Sequence, residues 1–438
     1  MGVAMKAVHK FAGAVFSASL AVSFGAMSMS AAASTLTLER VIVPGALAQP
    51  VHAASPDGDL VRVFFVERQT GAVKIFDRTA NSVLATPFLT IAGLGNVNEQ
   101  GAYGLAFAPD YATSGKFYVS FTNANDEFQV FEYAVSGDAN IADPASARAI
   151  LTIAHPADGA QAHFGGWIGF GPDGMLYVTS GDSNGDAIND NSQQRDSMLG
   201  AVLRIDPTGD DFAADPLQNY ATPPDNPFAG GDAGDDAVYA YGLRNPFKAA
   251  FDPVSGAFFI ADVGEDSFEE INLGQSGANY GWPGYEGDQP FLPGLLDGAP
   301  VTDPVYQYLH GAGVFEGQSI TGGEFYQGPV DSLDGHYFFG DFVQGKVWSL
   351  LFDAMSGTVS EVFAWDLALD AGVLNNLVSF GVDGDGNLYL LDINGSVFRV
   401  AGAQISDIPL PAAGLMMFAG LIGLGGAAGR KRRSARSA

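Results

Sequence analysis

The stretch from Tyr239 to Tyr285, YAYGLRNPFKAAFDPVSGAFFIADVGEDSFEEINLGQSGANYGWPGY, decides the reading of this chain. Short apolar runs within it are separated by Gly, Pro and Asp turns, the pattern of antiparallel strands joined by tight loops. The loops carry Arg244 and Asn245 side by side, and a group of carboxylates at Asp262, Glu265, Asp266, Glu269 and Glu270. A second block, Ala162 to Val178 (AHFGGWIGFGPDGMLYV), sets His163 ahead of two glycines, a Gly-Pro-Asp-Gly turn and an alternating strand. Reactive side chains gathered on loops between regular strands point to a site carried by a rigid β scaffold.

The same pattern of strand, turn and strand recurs along the chain. It appears at Val61 to Phe76 (VRVFFVERQTGAVKIF) and Lys116 to Tyr133 (KFYVSFTNANDEFQVFEY), and again at Met175 to Asp206 with a long acidic insertion. The later copies are Ala257 to Leu273, His336 to Phe352 and Asn387 to Val400. Period-two alternation says strand, and regular recurrence with turn-rich intervals says repeated sheets. The expectation is an all-β chain: a six-bladed β-propeller of four-stranded antiparallel blades, forming one domain over residues 34–404. Thr35 to Val43 is placed to pair with the last blade and cover its edge. Asp173-Gly174, Asp252-Pro253 and Asp385-Gly386 precede inner strands and are read as turns, without a catalytic role.

Composition narrows the function classes. The 438 residues carry a formal charge of −29, which disfavours nucleic acid and anionic lipid as partners. With no cysteine, disulfides, thiolate metal sites and cysteine nucleophiles are excluded. Residues 1–33 read as a secretory signal helix, with Lys6 and Lys10 before an apolar run and Ala31, Ala32 and Ala33 at the cleavage region. Residues 405–438 read as a tail: Pro409-Leu410-Pro411, an apolar helix from Ala412 to Gly429, then Arg430, Lys431, Arg432 and Arg433. An apolar run of about that length spans a bilayer with the basic cluster on the cytoplasmic side. The expected location is therefore periplasmic or extracellular, with membrane attachment through the tail at least before processing.

Together, the His163 and Arg244 blocks resemble the glucose/sorbosone dehydrogenase family of six-bladed propellers, over roughly residues 40 to 400. Its best-known members use pyrroloquinoline quinone (PQQ) and calcium. The resemblance implies that His163 is the general base for a sugar hydroxyl and that Arg244 and Asn245 contact the quinone. Gly264 and Glu265 fall where relatives offer carbonyl oxygens to calcium, and Glu99 or Gln100 where they place a polar side chain against the quinone. The implied substrate is an aldose or related sugar; no electron acceptor is implied. The tail resembles the Pro-Leu-Pro form of the sorting signals read by exosortase-type enzymes; a plain membrane anchor has the same sidedness.

Each of these residues also has a plainer reading: His163 as a satisfied buried histidine, Arg244 as the partner of a local carboxylate, the acidic loops as solvated turns. Ala162 stands where relatives often have an acidic residue beside the histidine. Asp182, Asp186 and Asp190 form a second acidic loop with incomplete calcium spacing. The chain also departs from the PQQ enzymes in its last two units. Phe342 and Val343 stand near the expected Lys, Lys346 lies farther along and is the candidate left to join Arg244 in binding the quinone's carboxylates, and no Arg stands in the approach to the Asp385-Gly386 turn. Hedgehog-interacting proteins are similar in motif and serve binding. A non-catalytic surface propeller that binds a glycan or a protein is therefore the alternative, and a calcium-dependent lactonase a third reading.

Overall fold

The computed structural model describes residues 34–155, 161–183, 189–231, 234–406 and 410–411. The signal helix and apolar tail helix expected at residues 1–33 and 412–429 lie outside them. Among the described residues no helix is long and apolar enough to cross a membrane.

The chain is all-β, as its alternation predicts. β1 (Ser34–Ile42) is followed by a first antiparallel group of β2 (Pro50–Ala54), β3 (Arg62–Glu67) and β4 (Ala72–Asp77), with the short β5 (Ser82–Val83) and β6 (Leu89–Thr90) against β4. Next come β7 (Ala102–Phe107), β8 (Lys116–Thr122), β9 (Glu127–Val135) and β10 (Ala142–Ala154). A third group holds β11 (Ile168–Phe170), β12 (Leu176–Ser180), β13 (Ala201–Ile205) and β14 (Val238–Tyr241). The fourth joins β15 (Pro246–Phe251), β16 (Phe258–Asp262) and β17 (Phe268–Leu273) to β20 (Tyr306–Leu309), past a small hairpin of β18 (Tyr285–Glu286) and β19 (Gln289–Pro290). Then follow β21 (Ile320–Phe325), β22 (His336–Asp341), β23 (Val347–Asp353) and β24 (Thr358–Leu369), and last β25 (Leu377–Val382), β26 (Leu388–Asp392) and β27 (Val397–Gln404). Each repeated sequence unit supplies the two middle strands of one group.

β1 completes the last group. It pairs antiparallel with β27, Leu36 opposite Ala403 and Leu38 opposite Val400, so the N-terminal strand covers an edge the C-terminal strands would leave open. The first strands of successive groups touch in sequence: β2 meets β7, β7 meets β11, β15 meets β21, β21 meets β25 and β25 returns to β2, while β15 meets β12 of the group before it. This repeated-sheet arrangement is a β-propeller.

The core lies between neighbouring groups, where facing sheets interdigitate aromatic rings. Phe64 meets Phe88 edge-on at 4.9 Å, and Phe259 meets Phe325 at 5.1 Å and Tyr337 at 4.9 Å. Rings this large each contribute about 1.5–3 kcal/mol on full burial, which is how a chain without disulfides holds its groups together. Turns at one end of the groups carry Asn123, Asp182, Glu265 and Lys346, all between second and third strands. Rigid strands thus fix the positions of the loops that carry the candidate residues.

Candidate functional site

His163 sits at φ 55, a left-handed backbone uncommon for a non-glycine residue. Two contacts hold it there. Its N–H donates to Glu99 Oε2 at 2.8 Å, and its loop presses on the turn after β12, where a Cβ on Gly181 would overlap the His163 carbonyl oxygen. Gly166, at φ 110, has the Tyr103 ring 2.6 Å from where its Cβ would be. Only glycine permits that approach, so the glycines following the histidine seat the imidazole close to the sheet.

His163 is 7 % exposed, and its Nδ1 lies 2.8 Å from Asp182 Oδ1. Nε2 makes no hydrogen bond to the described residues. The charge absent at Ala162 is supplied from another loop: Asp182, read from sequence as part of an acidic turn, faces the histidine instead. Its second oxygen, Oδ2, accepts the Trp282 indole N–H at 2.8 Å. A carboxylate fixed on Nδ1 orients the ring, leaving Nε2 as the working nitrogen.

The same loops bring Arg244 and Asn245 to this point. Asp182 N–H donates to the Arg244 carbonyl at 2.8 Å, and Gly165 N–H to Asn245 Oδ1 at 3.0 Å. Buried Asp262 holds the turn, accepting Arg244 N–H at 2.9 Å and Asn245 N–H at 2.7 Å. Burial, then the neighbouring Glu270, push the Asp262 carboxyl well above the usual carboxylate range; burial lifts Glu270 to about 7. The Arg244 guanidinium lies over the Trp282 ring at 5.5 Å, donates to the Val263 carbonyl at 3.2 Å and pairs with Glu265. Its Nε is buried without a partner among the described residues.

The remaining candidates divide. Glu99 is exposed and reaches the His163 backbone, whereas Gln100 is 2 % exposed and turned inward, bonded to Val97 N–H, the Asn123 carbonyl and Asp126. Lys346 is not drawn to the His163–Arg244 cluster by any hydrogen bond. Its Nζ donates to the carbonyls of Gly313 and Glu316, both at 2.6 Å.

Gly264 and Glu265 begin a loop whose successive N–H groups, from Glu265 to Phe268, converge on Glu286 Oε1 at 2.8–3.2 Å. Because a trans peptide sets C=O opposite N–H, the Gly264 and Glu265 carbonyls point away from Glu286. They are hard oxygens of the kind calcium takes. No cluster of three or more His, Asp or Glu side chains able to hold a metal occurs among the described residues.

Sequence reading missed Asp182 as the histidine partner, Trp282 and the Glu286 anchor. A buried indole needs an acceptor for its N–H, which was the one available signal at Trp282.

An all-β scaffold with an imidazole–carboxylate pair beside an Arg-Asn turn defines a class of loop-borne propeller sites. The glucose/sorbosone dehydrogenase family model matches residues 47–395, and the chain belongs to that family. It is 31% identical over 423 residues to the HIPL1 protein of Arabidopsis thaliana, covering 79% of this chain and 60% of that protein. Thus the chain spans about three fifths of that relative's length. The aldose sugar dehydrogenase YliI of Escherichia coli is 27% identical over 207 residues, covering 47% of this chain and 52% of that protein. Among solved structures, the PQQ-bound aldose sugar dehydrogenase of Streptomyces coelicolor superposes with a TM-score of 0.64 at 24% identity, over 86% of this chain and 97% of that one. At that identity the likeness speaks for the fold.

Proposed function

We propose that this protein is an exported oxidoreductase that oxidises an aldose or related sugar at a C–H–OH carbon. The strand groups are the six blades of one propeller, and their loops form the site at one end. The reading is carried by one observation: an imidazole held by Asp182 keeps Nε2 without a hydrogen bond to the described residues, beside Arg244 and Asn245.

The residues fit the oxygen end of a quinone such as PQQ. The Asn245 side-chain amine makes no hydrogen bond to the described residues and suits a carbonyl oxygen, and the Arg244 guanidinium beside it supplies the cation. When bound, the quinone supplies a two-electron hydride acceptor. His163 Nε2 takes the hydroxyl proton of the sugar as hydride leaves the carbon, and Asp182 stabilises the resulting imidazolium. Arg244 and Asn245 orient the acceptor, while Glu99 keeps the His163 backbone in its left-handed turn. Calcium fits the outward carbonyls of Gly264 and Glu265.

The carboxylate end of PQQ is less well met, because Arg244 already pairs with Glu265 and Lys346 is held by backbone carbonyls. That observation favours a second reading, a binding propeller without redox activity. The test is reconstitution of the purified protein with PQQ and calcium, titrating the cofactor and following dye reduction with a panel of aldoses. Saturable binding with sugar-dependent turnover is expected. No saturable binding would leave the binding reading standing, and lactone hydrolysis without an electron acceptor would support a lactonase.

A further inference from the structure

We propose that Trp282 is a positioning residue that ties the base to the cation: its indole N–H fixes Asp182 against His163 while its ring supports the Arg244 guanidinium. The inference deepens the oxidoreductase reading and rests on it for the kinetic consequence, but its structural content stands separately.

Trp282 lies in the Tyr280-Gly281-Trp282-Pro283 segment of the opening stretch, to which the proposed chemistry assigns no role. It is 5 % exposed, and its main chain is clamped from several directions. Its N–H donates to the Gly242 carbonyl at 2.9 Å, two residues before Arg244, and its carbonyl accepts Gln193 Nε2 at 2.7 Å. Gln193 and Asn279 exchange amide hydrogen bonds at 2.9 Å, and Asn279 Oδ1 also accepts Gly281 N–H at 2.9 Å. Phe291 stacks on the indole at 5.6 Å. The indole therefore has a fixed position before it meets either functional group.

From that position it makes two contacts that packing alone does not require: Nε1–H to Asp182 Oδ2 at 2.8 Å, and the ring face to Arg244 at 5.5 Å. Asp182 bonds His163 through one oxygen and Trp282 through the other, so the indole sets the rotation of the carboxylate and hence the direction of Nε2. The ring face favours the guanidinium charge without consuming any of its N–H donors.

The experiment compares the wild type with Trp282→Phe and with a protein carrying β-(3-benzothienyl)-alanine at position 282. The latter keeps ring size and stacking and removes only the N–H, so it reports even if the Phe variant folds poorly. The first readout is the downfield proton NMR resonance of the His163 Nδ1–H bonded to Asp182, assigned by its loss in His163→Ala and Asp182→Asn. We expect solvent exchange of this proton to accelerate roughly ten- to a hundredfold in both variants, the scale of one hydrogen bond to a charged group. An unchanged resonance and exchange rate in the benzothienyl protein would overturn the inference. In the PQQ-loaded protein kcat should fall by a similar factor, with sugar KM and quinone affinity held; a fall in thermal stability with kcat unchanged would also overturn it. If the resonance responds while the wild type shows no turnover, the positioning role stands and the oxidoreductase reading fails.

Discussion

The loop edge around His163 and Arg244 and the strand interior around Lys248, Glu324 and His52 treat charge in opposite ways. At the edge, ionisable groups meet directly: His163 with Asp182, Arg244 with Glu265, and the backbone of their loops with Asp262 and Glu286. In the interior, Lys248 is 4 % exposed, and its Nζ lies over the Phe247 ring at 5.0 Å and makes one long hydrogen bond among the described residues, to the Tyr103 carbonyl at 3.4 Å. Burial lowers Lys248 to about 7 and raises the largely buried Glu324 to about 8; burial, then Lys248, lower His52 to about 3. At the edge Arg244 is paired with Glu265, whereas buried carboxyls without a paired cation, Asp262 beneath that edge as well as Glu324 in the interior, are driven toward their neutral form. A site that must take up a proton belongs where an imidazolium has a carboxylate waiting.

The largest effect expected from breaking this contrast is His163→Ala. It should reduce turnover about 10²–10⁴-fold, the range for a positioned acid–base group, while leaving quinone affinity unchanged. Steady-state kinetics with a parallel cofactor titration checks this. Loss of affinity with turnover retained at saturation would make His163 a ligand and not the base.

How much of this was legible depends on range in sequence. Alternation located the strands because side-chain period is local, and His163, Arg244 and Asn245 were legible because each sits in a short turn-rich motif. Asp182 was not: it lies 19 residues from His163 in an insertion where Asp186 and Asp190 were equally eligible, and only the crossing of two loops at Gly181 selects it. Glu99 and Gln100 could not be separated for the same reason, since which side chain turns inward is set by the Asn123–Asp126 turn of the neighbouring hairpin. Trp282 was visible as a residue but its two partners come from distant loops.

A second cation should sharpen the contrast from the other direction. Phe342 is partly exposed at the turn after β22, near where the PQQ enzymes' lysine is expected, and Phe342→Lys adds a charge without disturbing Arg244. Quinone affinity should tighten about tenfold, about 1.4 kcal/mol, with the gain shrinking at high salt. Isothermal titration at two ionic strengths measures it. An unchanged affinity would mean that missing cations do not limit binding at this edge.

The smallest expected effect lies in the interior and carries a definite sign. Glu324 goes from 4.5 in the unfolded chain to about 8 in the fold, so between those values the native state holds a proton the unfolded chain has released. The contribution is present below pH 4.5 and is lost as pH rises toward 8. Lys248, lowered from 10.5 to about 7, acts mainly above pH 6.5, and Glu270, raised to about 7, contributes equally to wild type and variant, so the difference between the two proteins from pH 5 to 6.5 reports Glu324. Glu324→Gln carries no titrating proton and should lose that part of the slope, gaining about 2 kcal/mol on the wild type between the two pH values. Urea unfolding at each pH gives the difference. Parallel wild-type and variant slopes would show that Glu324 is charged in the fold with Lys248 as its effective partner, and the interior would then pair its charges much as the edge does.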